Sequence, residues 1–324
     1  MEQRSALPMD STQLWTLTDG HAGNRRQAQA LAGALGLGPS QDWLLQPRLP
    51  WSVSAPRNFA GAQHAFGTDF AAALEHPPGL AIGCGRQAAL ATRLLHARGG
   101  QVVQILDPRI DPRHWDLVVA PDHDGLTGPN VITLAGSLNP VDDDWLLRAR
   151  EVFAAFAQLP RPRTALLLGG ASTHARFDAH AFQALAAQLD VALAREGGSV
   201  LATTSRRTPA DLVAALRARY GETPGLVWCD ESDGTNPYDG LLAWADRIVC
   251  SPDSVNMVSE ACATAAPVFV FDPVRVSGRP RRFLDALLAR GRIQVMDTTL
   301  APFPVEPLRE TARVAALVKA RLSL

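Results

Sequence analysis

The stretch RIVCSPDSVNMVSEACATAAPVFVFD, Arg247–Asp272, decides how the chain is read. Ile248, Val249 and Cys250 form a short apolar run of the kind that makes a buried strand. The run stops in a polar turn, Ser251-Pro252-Asp253-Ser254. Val255, Val258, Ala261 and Cys262 then recur at helical spacing, and Pro267–Phe271 reads as a second buried strand. The loop brings hydroxyls to the positive end of a helix, with Glu260 about two turns in. Backbone amides at a helix start suit a phosphate, and a carboxylate farther along can accept hydrogen bonds from a ribose diol. The plainer alternative is a polar turn with a glutamate facing solvent. Asp253, Ser254, Ser259 and Glu260 converge on one junction, and that favours the phosphate reading.

Working outward, strands alternate with helices along all 324 residues. The first half predicts strand Leu14–Thr18, helix Gln27–Leu35, strand Asp42–Leu45 and an irregular segment Pro47–Gly67 rich in Pro, Trp and Phe. Helices follow at Asp69–Leu74 and Gln87–Ala97, and strands at Leu80–Gly83, Gln101–Leu106, Leu117–Ala120 and Val131–Leu134. A long helix, Asp142–Gln158, is capped by its acidic triplet. Leu159-Pro160-Arg161-Pro162-Arg163 breaks the pattern and reads as a hinge. A second series starts with strand Thr164–Leu168 and runs through helices near 178–196 and at Pro209–Tyr220 and Tyr238–Ala245, with strands Ser199–Thr203 and Leu226–Cys229. After the opening unit come helices Arg281–Arg290 and Glu306–Leu322. This alternation predicts an α/β protein of two Rossmann-like parallel-sheet domains, 1–159 and 160–305, facing across a cleft, with 306–324 packing back on the first.

The composition narrows the class. The hydrophobic fraction of 47% permits two full cores, and 31 basic residues nearly balance 32 acidic ones. Balance argues against a dedicated nucleic-acid or anionic-membrane surface. Lys319 is the single lysine, so a P-loop lysine or a Schiff-base lysine has no place. Cys84, Cys229, Cys250 and Cys262 include no C-x-x-C and sit mostly in apolar runs, as buried thiols of a reducing compartment do. The first residues carry no signal-like apolar region, and no run approaches membrane-spanning length. A cytoplasmic protein is expected, with peripheral membrane contact left open. The eight histidines are scattered, so neither a metal nor a cofactor is expected.

In open parallel sheets, ligands bind beyond the carboxyl ends of the strands, and the remaining polar clusters fall there. Gly169-Gly170-Ala171-Ser172-Thr173 follows the first strand of the second half. Its glycines allow close backbone approach to an anion, and Ser172 and Thr173 add hydroxyls; a tight strand-to-helix turn explains them equally well. Thr204-Ser205-Arg206-Arg207 follows the next strand. Two arginines can offer paired contacts to phosphate, and Arg206 is preferred. Asn236-Pro237-Tyr238 lies in a polar loop, where capping by Asn236 is the simpler role. In the first half, Asp19-Gly20-His21-Ala22-Gly23-Asn24 places a His and an Asp at a helix start. An imidazole can act as general base near neutrality, so His21, with Asp19, is the catalytic candidate; a surface histidine in a turn explains it at least as well, and Asp122-His123-Asp124 competes on the same terms. Gly83-Cys84-Gly85-Arg86-Gln87-Ala88 with Asp107 matches the dinucleotide fingerprint. Pro108 follows the acid and two strands precede the motif, whereas the fingerprint opens its domain. Neither G-x-S-x-G nor H-E-x-x-H occurs.

At Ser251–Glu260 the sequence resembles the nucleotide-sugar donor loop of two-domain, GT-B type glycosyltransferases. The whole chain resembles the mitochondrial fission "elongated mitochondria" family, a GT-B-like group with many bacterial members. The matching pieces are Asp19–Asn24 with Gln27, Gly169–Ser172, Thr204–Pro209, Asn236–Tyr238 and Asp253–Glu260. The resemblance implies a nucleoside-diphosphate sugar held by Gly169, Gly170, Ser172, Thr173, Ser205, Arg206, Asp253, Ser254, Ser259 and Glu260. Asn236 and Tyr238 would lie near the base or the cleft mouth. An unknown acceptor would face Gly20, Gly23, Asn24 and Gln27, and transfer would be metal-independent. As a second reading it implies a scaffold that kept the fold and lost the chemistry, as in recruitment of a dynamin-type division protein in plants.

Overall fold

The computed structural model describes residues 13–170, 174–175 and 177–324. These divide into two compact units, Met1–Pro140 with Glu310–Leu324, and Val141–Arg309. Among the described residues each unit holds one six-stranded sheet, and every strand pairing is parallel. No helix among them is long and apolar enough to cross a membrane.

Unit 1 runs β1 (Leu14–Thr18), α1 (Ala22–Leu35), β2 (Ser40–Leu44), α2 (Trp51–Ser54), α3 (Thr68–Ala73), β3 (Leu80–Cys84), α4 (Arg86–His96), β4 (Gln101–Ile105), β5 (Leu117–Pro121) and β6 (Val131–Leu134). Its sheet order is β2-β1-β3-β4-β5-β6. The strands β1, β3 and β5 are buried along their whole length. They read as continuous apolar runs because both faces of a parallel sheet are covered.

Unit 2 runs α5 (Asp143–Val152), β7 (Arg163–Leu168), α6 (Ala179–Glu196), β8 (Ser199–Thr204), α7 (Ala210–Tyr220), β9 (Gly225–Trp228), α8 (Tyr238–Trp244), β10 (Arg247–Cys250), α9 (Val255–Cys262), β11 (Val268–Val270), α10 (Gly278–Ala289) and β12 (Ile293–Val295). Its order, β12-β11-β10-β7-β8-β9, is the 3-2-1-4-5-6 arrangement of dinucleotide-binding sheets read from the far edge. One face packs Leu241, Val258, Leu284 and their neighbours. The other packs Phe182, Leu189 and Leu216.

The last helix, α11 (Thr311–Leu322), belongs to unit 1. It buries Val314, Ala315 and Val318 in the cluster that holds Leu31 and Leu35 of α1. Its start is anchored where the Thr311 hydroxyl donates to the Asn139 carbonyl at 2.7 Å and the Ala135 amide donates to Glu310 at 3.2 Å.

Three expectations change. The unit boundary falls at Pro140/Val141 and not in Leu159–Arg163, because α5 packs on α8 and Arg309 pairs with Asp143 at 2.7 Å, both within unit 2. The helix foreseen over Asp142–Gln158 stops at Val152, and Ala154–Gln158 is a 3-10 turn. Phe153 leaves helical angles (φ −108°, ψ 39°) and lays its ring against Gly240, where a Cβ would meet it at 2.5 Å. The first helix begins at Ala22, five residues before Gln27, so Gly23 and Asn24 lie in its first turn.

Asp246 joins the entry to β10 to the entry to β7. It accepts the Arg163 amide at 2.7 Å and the Arg163 Nε at 3.2 Å, and it pairs with Arg161. Burial by itself would raise this carboxyl, but the hydrogen bonds from Arg163 and Arg161 outweigh burial and hold it below the ordinary aspartate value. A carboxyl lowered on folding adds stability above its unfolded pKa, and that stability is lost as pH falls through the folded value. Unit 2 is therefore expected to lose stability below about pH 4. Calorimetry from pH 7 downward should give a shallower loss for Asp246→Asn than for the wild type.

Candidate functional site

In unit 2 the strand order reverses between β7 and β10, so the crevice rule points at the loops leaving those two strands. The loops meet there. The Gly169 amide donates to Ser251 Oγ at 2.8 Å, and the Gly170 amide donates to Asp253 Oδ2 at 2.9 Å. Ser251 Oγ donates to Asp253 Oδ1 at 2.6 Å, and Arg207 Nη2 reaches Oδ2 at 3.4 Å. The loop after β8 joins through Thr208, whose hydroxyl donates to the Gly169 carbonyl at 2.5 Å and accepts the Ser205 amide at 3.0 Å. Three loops are thus tied around one carboxylate, and the Asp253 side chain is 0% exposed.

Beyond this knot α9 begins. Ser254 caps it, accepting the Met257 amide at 3.4 Å, and Ser259 donates back to the Val255 carbonyl at 2.7 Å. Glu260, 5% exposed, accepts from the Tyr238 hydroxyl at 2.5 Å. Tyr238 opens α8, and its amide donates to Asn236 Oδ1 at 3.0 Å. At the other end of α9 the buried Arg292 guanidinium closes the helix, donating to the carbonyls of Cys262 at 3.0 Å and Thr264 at 2.7 Å. Burial lowers its pKa.

The geometry revises several sequence assignments. The amides of Gly169 and Gly170 are taken by Ser251 and Asp253, so these donors serve the loop knot and not an anion. The glycines themselves are required by close approach: a Cβ on Gly169 would stand 1.9 Å from Asp253 Oδ2, and one on Gly170 would stand 2.2 Å from the Arg207 carbonyl oxygen. Asp253 is a buried tie instead of a ligand contact. Arg206 and Arg207 are both exposed, and Arg207 is the one whose guanidinium reaches the knot. Ser205 Oγ accepts the Arg207 amide at 3.2 Å and shapes its own turn. Asn236 caps, as its simpler role required. Ser172 and Thr173 lie outside the described residues. Sequence reasoning does not single out Ser251 or Thr208, and of the two adjacent arginines it prefers Arg206 to Arg207; position directly beyond strand ends was the available signal.

Unit 1 repeats the plan at its own reversal, between β1 and β3. The His21 amide and Asn24 Nδ2 donate to Asp19 Oδ1 at 3.1 and 2.9 Å, and His21 Nδ1 lies 3.0 Å from the same oxygen. Cys84 Sγ donates to Asn24 Oδ1 at 3.7 Å. Burial pushes the Asp19 carboxyl up, but hydrogen bonds from Asn24 and His21 prevail and leave it below the ordinary value. The His21 ring is 80% exposed with its Nδ1 against Asp19, an orientation that leaves Nε2 as the outward nitrogen. Gly20 and Gly23 are half-buried in this turn, while Gln27 is buried in α1. Asp122-His123-Asp124 forms a 3-10 turn after β5, two strands from β1/β3.

The fingerprint Gly83-Cys84-Gly85 has packing reasons of its own. A Cβ on Gly83 would meet Thr92 at 2.6 Å, and one on Gly85 would meet Asn24 at 2.6 Å. The Gly85 amide donates to the Ile105 carbonyl at 3.3 Å, and Asp107 accepts the Arg109 amide at 2.8 Å.

Two parallel α/β units, the second in dinucleotide-binding strand order, define a protein of the GT-B class. Solved structures with this fold match nearly the whole chain. They include UDP-GlcNAc 2-epimerase from Neisseria meningitidis bound to UDP-GlcNAc (TM-score 0.58, 11% identity, 96% of this chain and 99% of that one). MurG of Acinetobacter baumannii also matches (TM-score 0.51, 14% identity, 96% and 92%). The chain belongs to the mitochondrial fission ELM1 family, whose model matches residues 22–322. It is similar to mitochondrial fission protein ELM1 of Arabidopsis thaliana, 29% identical over 277 residues that cover 76% of this chain and 64% of that one. It is also similar to the uncharacterized protein RP120 of Rickettsia prowazekii, 22% identical over 288 residues covering 76% and 81%. The chain thus spans less than two thirds of the plant relative.

Proposed function

We propose that unit 2 binds a nucleoside-diphosphate sugar beyond β7 and β10, and that the protein is a glycosyltransferase of this fold class. The observation that carries the reading is the strand reversal at which Ser254, the start of α9 and Arg207 gather, with Glu260 and Tyr238 farther along the same helix pair. The N-terminal end of α9 and the Arg207 guanidinium supply positive charge for a leaving diphosphate. Glu260 with Tyr238 supplies the acceptor for a ribose diol. His21, oriented by Asp19, is the base proposed for the acceptor hydroxyl. Similar structures solved in complex with UDP and bound to UDP-GlcNAc support the ligand class.

A second reading is a non-catalytic binding module, in keeping with the plant relative's description as a fission protein. The internal use of the Gly169 and Gly170 amides favours it.

Thermal shift against a panel of nucleoside diphosphates and their sugars separates the two. A ligand at about 100 times its Kd adds about 2.7 kcal/mol to the native state. At least one compound should therefore raise Tm by several degrees. Glu260→Gln and Arg207→Gln should each cut that increment relative to their own ligand-free Tm, while Arg206→Gln leaves it unchanged. No shift with any nucleotide would leave the binding-module reading.

A further inference from the structure

Leu49, Val53 and Phe59 are 74%, 70% and 50% exposed, and all three stand in the connection from β2 to α3 of unit 1, Val53 within α2. Single exposed apolar side chains need no explanation, but a group of them marks a contact surface. The loop is closed and pinned. The Arg48 amide donates to the Ala65 carbonyl at 2.8 Å, and Ala55, Ala62 and Ala65 are buried beneath. Arg86 donates to the carbonyls of Val53 at 2.7 Å and Ser52 at 2.9 Å, and Arg93 donates to that of Pro56 at 3.2 Å. Trp51 packs half-buried into the cluster of Trp43 and Phe66. A loop held this firmly from below keeps its outer apolar side chains in place.

Its charge is one-sided. Between Asp42 and Asp69 the chain has no acidic residue, while Arg48 and Arg57 are exposed within it. Overall balance, which argued against an anionic-membrane surface, averages this asymmetry away. We propose that the Arg48–Phe59 loop seats unit 1 on a membrane surface carrying anionic lipids, with Leu49, Val53 and Phe59 entering the headgroup region and Arg48 and Arg57 meeting lipid phosphates. Apolar side chains flanked by cations alone fit this occupant. A protein interface has a charge-depleted core and a mixed polar rim, and the loop supplies no acidic side to such a rim.

Co-sedimentation of the full chain with vesicles tests it, using phosphatidylcholine with and without phosphatidylglycerol. The expected result is binding that needs phosphatidylglycerol and weakens with salt. Arg48→Gln with Arg57→Gln should lower the partition by about 25-fold, about fivefold for each arginine. Leu49→Ser with Val53→Ser should lower it by about tenfold or more. Because all four side chains are at the surface, both variants should keep the wild-type Tm. Absence of vesicle binding, or binding that both variants retain, overturns the proposal. So does a concentration-dependent dimer that Leu49→Ser with Val53→Ser dissolves, since a second copy of the chain would then be the occupant.

Discussion

Gly170→Ala is expected to destabilise unit 2 by about 3 kcal/mol, an overpacking cost at the upper end of the usual range. The added Cβ would stand 2.2 Å from the Arg207 carbonyl oxygen and 2.9 Å from the Thr208 nitrogen, which are backbone atoms and not a flexible side-chain tip. That backbone is itself held, since the Thr208 amide donates to the Ser205 carbonyl at 2.9 Å and the Thr208 hydroxyl to the Gly169 carbonyl at 2.5 Å. Relief must therefore open the knot that joins the loops after β7, β8 and β10. Calorimetry should show a Tm fall of about 6–12 °C for a unit of this size. Gly33→Ala is the control: nothing lies within 4 Å of its Cβ position, and the residue is in α1. There alanine should stabilise by up to about 1 kcal/mol. Equal behaviour of the two variants would refute the account of the knot.

Arg292→Ala is expected to cost about 4 kcal/mol. An unsatisfied buried polar group costs about 1–3 kcal/mol, and this guanidinium serves the carbonyls of Cys262 and Thr264 at short range and those of Ala261 and Ala266 at 3.4 Å. Ala261 and Cys262 close α9, and Thr264 and Ala266 stand in the turn beyond it; Ala261 also accepts from Thr264, and Cys262 from the Leu308 amide at 2.8 Å, so the loss falls mainly on Thr264 and Ala266. Arg292→Lys should recover only part of the loss, because an ammonium cannot reproduce the planar fork. Urea midpoints for the three proteins give the comparison. A loss below about 1 kcal/mol for the alanine variant would mean that other groups satisfy the helix end. Since α9 carries Glu260 and is capped by Ser254, the same variant should also lose any nucleotide-induced rise in Tm.

The parts of the fold that were readable from sequence are those where local pattern and tertiary demand agree. β1 occupies Leu14–Thr18 and β6 occupies Val131–Leu134, as the apolar runs indicate, and Ser254 caps α9 in the unit that opened the reading. Where a distant residue decides, the sequence misleads. Phe153 breaks a helical pattern for the sake of Gly240, far away in sequence. The start of α1 was read too late because His21 supplies no side-chain cap; Asp19 organises that turn from outside the helix. The unit boundary was sought at prolines, whereas the contact of α5 with α8 places it earlier. At the site, residue type indicated where polar groups would gather but not which of them would turn inward. Asp253 and Ser251 carry hydroxyl and carboxylate groups as suited to a ligand as to a loop, and the choice depends on neighbours supplied by two other strands.

The helix Thr311–Leu322 gives the chain an inverted order of completion. A ribosome delivers residues 141–309 in one piece, so unit 2 has every strand and helix it needs before synthesis ends. Unit 1 is begun first, yet the part of Ala22–Leu35 that lies against the last helix stays uncovered until Val314, Ala315 and Val318 emerge. The nascent protein must therefore carry an open greasy flank through the making of an entire second unit, a burden that domains folding in order of synthesis avoid.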